Sequence, residues 1–283
     1  MVSLKQAVFS FAVILWTVSV WAQQPKLTSE ELVTRHLDSI GTSKARADAK
    51  SRMAQGTVRA DMLVGGAAHS EGSGMVVSRG RQLIIGMNRF QDAGYPDEQF
   101  MYDGKEVRIG LTGPSTRSRL GDWLYREESL VRDGLLGGSL STSWALLDVR
   151  GRQAKLRYEG LKKIDGRELH DLVYFPRKAD SELSVHLYFE PETFRHVKSV
   201  YMFAASPAMT HLPEQQRGSV RSAAQDRSNM RYRLEETFGD FQSVDGITVP
   251  KHWQILFTVE ADKTVSMKFD FNFAQIVHNT VVD

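Results

Sequence analysis

The chain has 283 residues, with 36 Lys and Arg against 34 Asp and Glu, and no cysteine. A formal charge of +2 gives no bulk reason to bind nucleic acid or an anionic membrane surface. The missing cysteine excludes disulfides, thiolate metal sites and a Cys nucleophile, and 41% hydrophobic residues exclude a wholly disordered chain.

Residues 1–22 read as a secretory signal peptide. Lys5 precedes an apolar run from Ala7 to Val20, and Val20-Trp21-Ala22 forms a cleavage site. The run is too short for a comfortable transmembrane span. Export to a periplasm and cleavage after Ala22 are expected, with residues 23–283 forming one domain. No cysteine stands at the cleavage site to carry a lipid.

In Leu27-Thr28-Ser29-Glu30-Glu31-Leu32, Thr28 and Glu31 form a capping box and Leu27 can staple to Leu32. Leu32, Val33, Leu37 and Ile40 follow on one helical stripe that Gly41 ends. The period then becomes two: Val58, Ala60, Met62 and Val64 alternate with Thr57, Arg59 and Asp61. Met75-Val76-Val77 and Leu83-Ile84-Ile85 form the next runs. Phe100–Tyr102 meets Val107–Ile109 across Asp103-Gly104-Lys105, a hairpin signal. Over 118–136 the three- and four-residue steps of Leu120, Trp123, Leu124, Val131 and Leu135 predict one helix, loosened at its far end by Gly134, Gly137 and Gly138.

Strands resume at 154–158, 169–175, 185–189, 194–203, 232–241, 247–259 and 265–276. Residues 205–230 are poor in large apolar residues, and they read as a flexible insertion because strands continue on both sides. The last strands carry the clearest pattern. Met267, Phe269, Phe271 and Phe273 stand opposite Lys268, Asp270 and Asn272; Trp253, Ile255, Phe257 and Val259 stand opposite His252, Gln254 and Thr258. One face is buried and one is in water.

About ten or eleven mostly antiparallel strands with one apolar face coil around that face. The expected fold is mainly β (α+β): an unclosed antiparallel β-barrel with helical lids at 28–40 and 118–136 and an apolar concave face. Met62, Met75 and Met267 are expected on that face, where Met adapts to varied apolar partners. Each of these aromatic and Met side chains also fits an ordinary core.

Catalytic signals are missing. The sequence has no H-E-x-x-H, no G-x-S-x-G and no P-loop. His186 and His196 can approach across the turn at 190–193 near Glu190, the donor types of a metal site, but a solvated polar face supplies the same residues. No catalytic residue, metal or cofactor is expected, and the protein is read as no enzyme. An unplaced carboxylate pair keeps a hydrolase as a third reading.

Several short motifs occur in a telling order: Gly72-Ser73-Gly74-Met75-Val76-Val77-Ser78-Arg79, then Asp103-Gly104-Lys105, Lys163-Ile164-Asp165-Gly166-Arg167, Leu187-Tyr188-Phe189-Glu190-Pro191-Glu192-Thr193, and the stretch from Phe238 to Pro250 through Asp245-Gly246. Over most of 27–278 the chain resembles the LolA/LolB-like outer-membrane lipoprotein-sorting family, with MucB/RseB as a relative. Gly80 departs from the family's usual Pro.

The resemblance implies an open barrel that shields acyl chains in transit between membranes: a secreted soluble carrier of lipid or lipoprotein acyl chains in the bacterial envelope. It further implies inner- or outer-membrane transport components as partners. On this reading Met62, Met75, Val77, Leu83, Ile85, Trp253, Ile255, Phe257, Phe269, Phe271 and Phe273 line the sheet. Trp123, Leu124 and Leu135 form the inner face of the lid, and Arg79 holds the lid by its backbone carbonyls. The alternative is an envelope-stress or lipid-sensing module of MucB/RseB type that binds a membrane partner.

Overall fold

The alternation seen along the last strands fixes the architecture, because each cross-strand pair puts its two side chains on one face of a sheet. A computed structural model describes residues 27–63, 68–92, 95, 97–111, 117–177, 183–204, 231–260 and 264–280. The expected signal peptide (1–22) and insertion (205–230) lie outside these residues.

The strands are β1 (Ser51–Met62), β2 (Ala68–Arg79), β3 (Gln82–Asn88), β4 (Glu98–Tyr102), β5 (Val107–Leu111) and β6 (Lys155–Ile164), followed by β7 (Arg167–Phe175), β8 (Leu183–Phe189), β9 (His196–Ala204), β10 (Arg231–Val244), β11 (Ile247–Glu260) and β12 (Val265–His278). They form one antiparallel sheet in the order β5-β4-β3-β2-β1-β12-β11-β10-β9-β8-β7-β6. Two meanders are thus joined where β1 pairs with β12. Strands β5 and β6 are the two edges, so the sheet does not close into a barrel. The stretch between them, 112–154, connects one edge to the other.

Phe271 lies opposite Val58 and Trp253, Phe269 opposite Ala60 and Ile255, and Met267 opposite Met62 and Phe257. These residues share the inner face. Val76 pairs with Ala54 and Ile85, and Ser78 with Leu83, so they also face inward. Met75 and Val77 do not: they pair with Gln55 and Met53 on the outer face. This corrects the expected lining, and the reason is a one-residue difference in phase. In Gly72-Ser73-Gly74 it is the glycines that face inward. A Cβ on Gly74 would lie 2.6 Å from the Phe271 ring, so the missing side chain makes room for the aromatic row.

Helix α1 (Ser29–Ile40) is capped by Thr28, whose Oγ1 accepts the Glu31 N–H at 3.1 Å. The Glu31 carboxylate does not complete the capping box; it accepts from Arg35 at 2.6 Å. Leu32, Val33, His36 and Ile40 are the buried face. A short helix, α2 (Ser43–Asp48), follows.

The single helix expected over 118–136 is instead α3 (Arg119–Arg126) and α4 (Ser129–Arg132), followed by 3₁₀ turns at Gly138–Leu140 and Ala145–Asp148 and by α5 (Val149–Arg152). Gly134, Gly137 and Gly138 take φ of +61°, +77° and +48°, which a right-handed helix cannot contain. The chain therefore winds across the inner face as a string of turns. Among the described residues no helix is long and apolar enough to cross a membrane.

Candidate functional site

The inner face is a row of aromatic rings. Trp253 stacks on Phe271 at 4.7 Å between centroids, and Phe271 on Phe273 at 5.9 Å. Phe238 lies parallel to Trp253 at 6.5 Å. The segment 117–152 covers this row as a lid, and Trp123 of α3 packs on Phe257 at 5.4 Å. Leu83, Ile85, Trp123, Leu124, Leu135, Trp253, Ile255, Phe257, Phe269, Phe271 and Phe273 are all buried in one cluster, with Met62 half-buried beside them. The structure brings these expected lining residues together, packed against the lid.

Polar groups hold this lid. At its start, the Glu98 carboxylate accepts the Ser118 N–H at 2.6 Å and the Ser118 hydroxyl at 2.5 Å, and Ser118 Oγ caps α3 through the Gly121 N–H. At its centre, Glu236 Oε1 accepts the Gly137 N–H at 2.8 Å and the Trp253 indole N–H at 2.9 Å. Tyr201 Oη reaches both Glu236 Oε2 (2.6 Å) and the Leu135 carbonyl (2.8 Å). Arg152 donates to the carbonyls of Ser143 and Arg132, and the Ser78 hydroxyl accepts the Thr142 N–H at 2.8 Å.

Arg79 takes no part. It is exposed at the end of β2, on the same outward phase as Val77. The arginine on the inward phase is Arg52, opposite Ser78, and its Nη1 donates to the Ser139 carbonyl. The expected lid-holding role of Arg79 is corrected for this geometric reason.

Burial sets the protonation of these groups. Glu236 is fully buried, which pushes its pKa up to about 7 against the donors around it. One phenolic proton cannot serve both contacts of Tyr201. A protonated Glu236 that donates to Tyr201 Oη frees the phenol to donate to the Leu135 carbonyl, so every contact is satisfied. Burial also raises the pKa of Glu98. His36 on α1 is lowered to about 4, chiefly by burial. It stays neutral, with Nδ1–H donating to the Phe194 carbonyl at 3.0 Å and Nε2 accepting the Trp144 indole N–H at 2.9 Å.

A cavity of about 390 Å³ lies where α1 and α2 meet the lid, beside β1. Leu37, Ile40, Trp144 and Leu147 form its apolar wall, and Arg52 and Ser141 belong to its polar side. It does not lie over Trp253 or the β12 phenylalanines.

Reasoning from sequence missed Glu98, Glu236, His36 and Arg52. Each carries the same signal: a charged or polar residue on the inward phase of an apolar pattern, as in Leu234-Glu235-Glu236-Thr237-Phe238. His186 and His196 fall on opposite faces. His186 faces outward and bonds Asp171 at 2.9 Å, whereas His196 is buried against Trp144. Among the described residues no three His, Asp or Glu are placed to hold a metal ion.

No family model and no curated protein matches this sequence. Solved structures do. One is a LolA superfamily protein from Nitrosomonas europaea, at 13% identity and TM-score 0.46, over 90% of this chain and 96% of that one. Another is an outer membrane lipoprotein-sorting protein domain from Vibrio parahaemolyticus, at 11% identity and TM-score 0.41, over 90% and 94%. A DUF1329 family protein from Desulfovibrio piger is similar at 9% identity and TM-score 0.41, over 90% and 94%. All three are similar to this chain at low identity.

Proposed function

We propose that this protein is a secreted carrier of lipid or lipoprotein acyl chains, working in the periplasm. The observation that carries this reading is the aromatic inner face of an open-edged sheet, covered by short turns rather than by a second packed layer. Trp123, Leu124 and Leu135 occupy the place that an acyl chain takes when the lid swings away. Glycines with positive φ at 134, 137 and 138 set the points about which it turns. An acyl chain needs apolar area more than fixed polar contacts, since each buried CH₂ contributes about 0.8 kcal/mol. The lining on this reading is Trp253, Ile255, Phe257, Phe269, Phe271, Phe273, Leu83, Ile85 and Met62.

Native mass spectrometry of protein purified mildly from its own envelope tests the proposal, with a co-purifying acyl lipid as the expected result. A ligand-free protein that also fails to bind fluorescent fatty acids would overturn it. Recovery of a membrane-anchored partner without lipid would instead favour the regulatory reading.

A further inference from the structure

Arg52 is a buried cation that pairs with no carboxylate among the described residues. It is 5% exposed, and its Nε donates to His278 Nε2 at 2.9 Å while Nη1 donates to the Ser139 carbonyl. Both acceptors are neutral: burial lowers the pKa of His278, and Arg52 itself adds to that effect. The nearest carboxylate in this chain of contacts, Asp245, lies on the far side of the imidazole, 3.2 Å from His278 Nδ1. Among the described residues no carboxylate pairs with Arg52, and its Nη2 makes no hydrogen bond. Burial lowers the pKa of Arg52 to about 10.

The guanidinium lines the cavity of about 390 Å³ described above, a size within the range of small-ligand sites (roughly 300–1,000 Å³). Its charged lining consists of Arg46, Lys50 and Arg52, with no Asp or Glu. Arg46 is already engaged, by the Leu37 and Gly41 carbonyls and by Asp38 at 3.7 Å. Leu37, Ile40, Trp144 and Leu147 supply its apolar lining.

We propose that this cavity is a head-group site for an anionic amphiphile, with Arg52 binding a carboxylate or phosphate oxygen and the apolar wall taking the first methylenes of the tail. This rests on the carrier reading and deepens it: the charge that anchors the ligand sits at the border of the lid, where Arg52 also holds Ser139. A guanidinium whose Nη2 donors are unused can donate them to an oxyanion. Ser141 and Thr142 of the same lining are already engaged, Ser141 with Ser143 and Thr142 with the Gly80 carbonyl, which leaves Arg52 as the donor.

Calorimetric titration of decanoate, decyl phosphate and decanol into the full protein tests the site. The expected result is that one or both anions bind about tenfold or more tightly than the alcohol, as a charge-assisted hydrogen bond implies. Whichever anion is preferred identifies the source of the head group. In Arg52→Gln the anions fall to the affinity of the alcohol, and Lys50→Gln, on the exposed rim, loses less.

Should Arg52→Gln fail to fold, the comparison of anion with alcohol in the unmodified protein still decides. Equal affinity for all three compounds overturns the head-group site and leaves the carrier reading standing. Binding of none of them overturns both. Protection against thermal unfolding by inorganic phosphate alone, without binding of any ten-carbon compound, would show an anion site without a tail and also overturn the amphiphile.

Discussion

Glu236, which accepts the Gly137 N–H of the lid, makes the stability of the fold depend on pH. Its folded pKa of about 7 lies above the ordinary 4.5, so between these values the folded protein keeps a proton that the unfolded chain releases. Its stabilising contribution is complete below about pH 4.5 and is lost as pH rises through 7, a swing on the order of 3 kcal/mol. His36 runs the other way, because its lowered pKa gives stability that is lost as pH falls from 6.5 towards 4. The difference between the native protein and Glu236→Gln is therefore the informative quantity. Urea unfolding from pH 5 to 8 should show the native protein losing stability relative to Glu236→Gln, and parallel curves would contradict the assignment.

Two substitutions test the aromatic row itself. Trp253→Ala should cost about 3–5 kcal/mol. Gly74→Ala should cost about 1–3 kcal/mol by pushing a methyl into Phe271. Both are read from urea midpoints. Trp253 and Phe271 were legible in the sequence because every second residue of β11 and β12 is large and apolar. Glu236 was not: a carboxylate in a strand is ordinarily a solvent-facing residue, and only the packing of Tyr201, Trp253 and Gly137 around it shows otherwise.

At the scale of elements, the proposed carrier role requires the lid to move. Ser78 on β2 and Thr142 on the lid are hydrogen-bonded neighbours at 2.8 Å, and the chain has no native cysteine to compete. Oxidised Ser78→Cys/Thr142→Cys should form one cross-link and lose binding of a fluorescent fatty acid, and reduction should restore it. Full binding by the locked form would mean that no lid opening is needed.

The strands were readable from period-two alternation and the hairpins from turn residues such as Asp103-Gly104, where the Asp103 carboxylate accepts the N–H groups of Lys105 and Glu106 at 2.8 Å. Helix α2 was not readable because it buries no side chain and so has no apolar stripe to show. The lid misled for a related reason. Three- and four-residue steps persist from Leu120 to Leu135, yet the helix already breaks between Arg126 and Ser129, and beyond it the Gly134 carbonyl accepts the Ala145 N–H at 3.0 Å instead of continuing a helix. Met75 and Val77 misled because an unbroken apolar triplet, Met75-Val76-Val77, does not say which of its members faces inward.

At the scale of the molecule, the two meanders meet at β1 and β12 and leave both edges of the sheet unjoined, with the lid segment as the covalent strap between them. A closed barrel would fix its interior volume, whereas an open sheet spanned by a strap can change it without breaking strand pairs. The central claim is that this strap yields the aromatic face to an acyl chain. Photolysis of a fatty acid bearing a diazirine near its terminal methyl, followed by peptide mapping, tests it most directly. Cross-links within β11 and β12, at Trp253, Phe257, Phe269, Phe271 or Phe273, are the predicted result. Labelling confined to exposed loops, or none above a scrambled background, would contradict it.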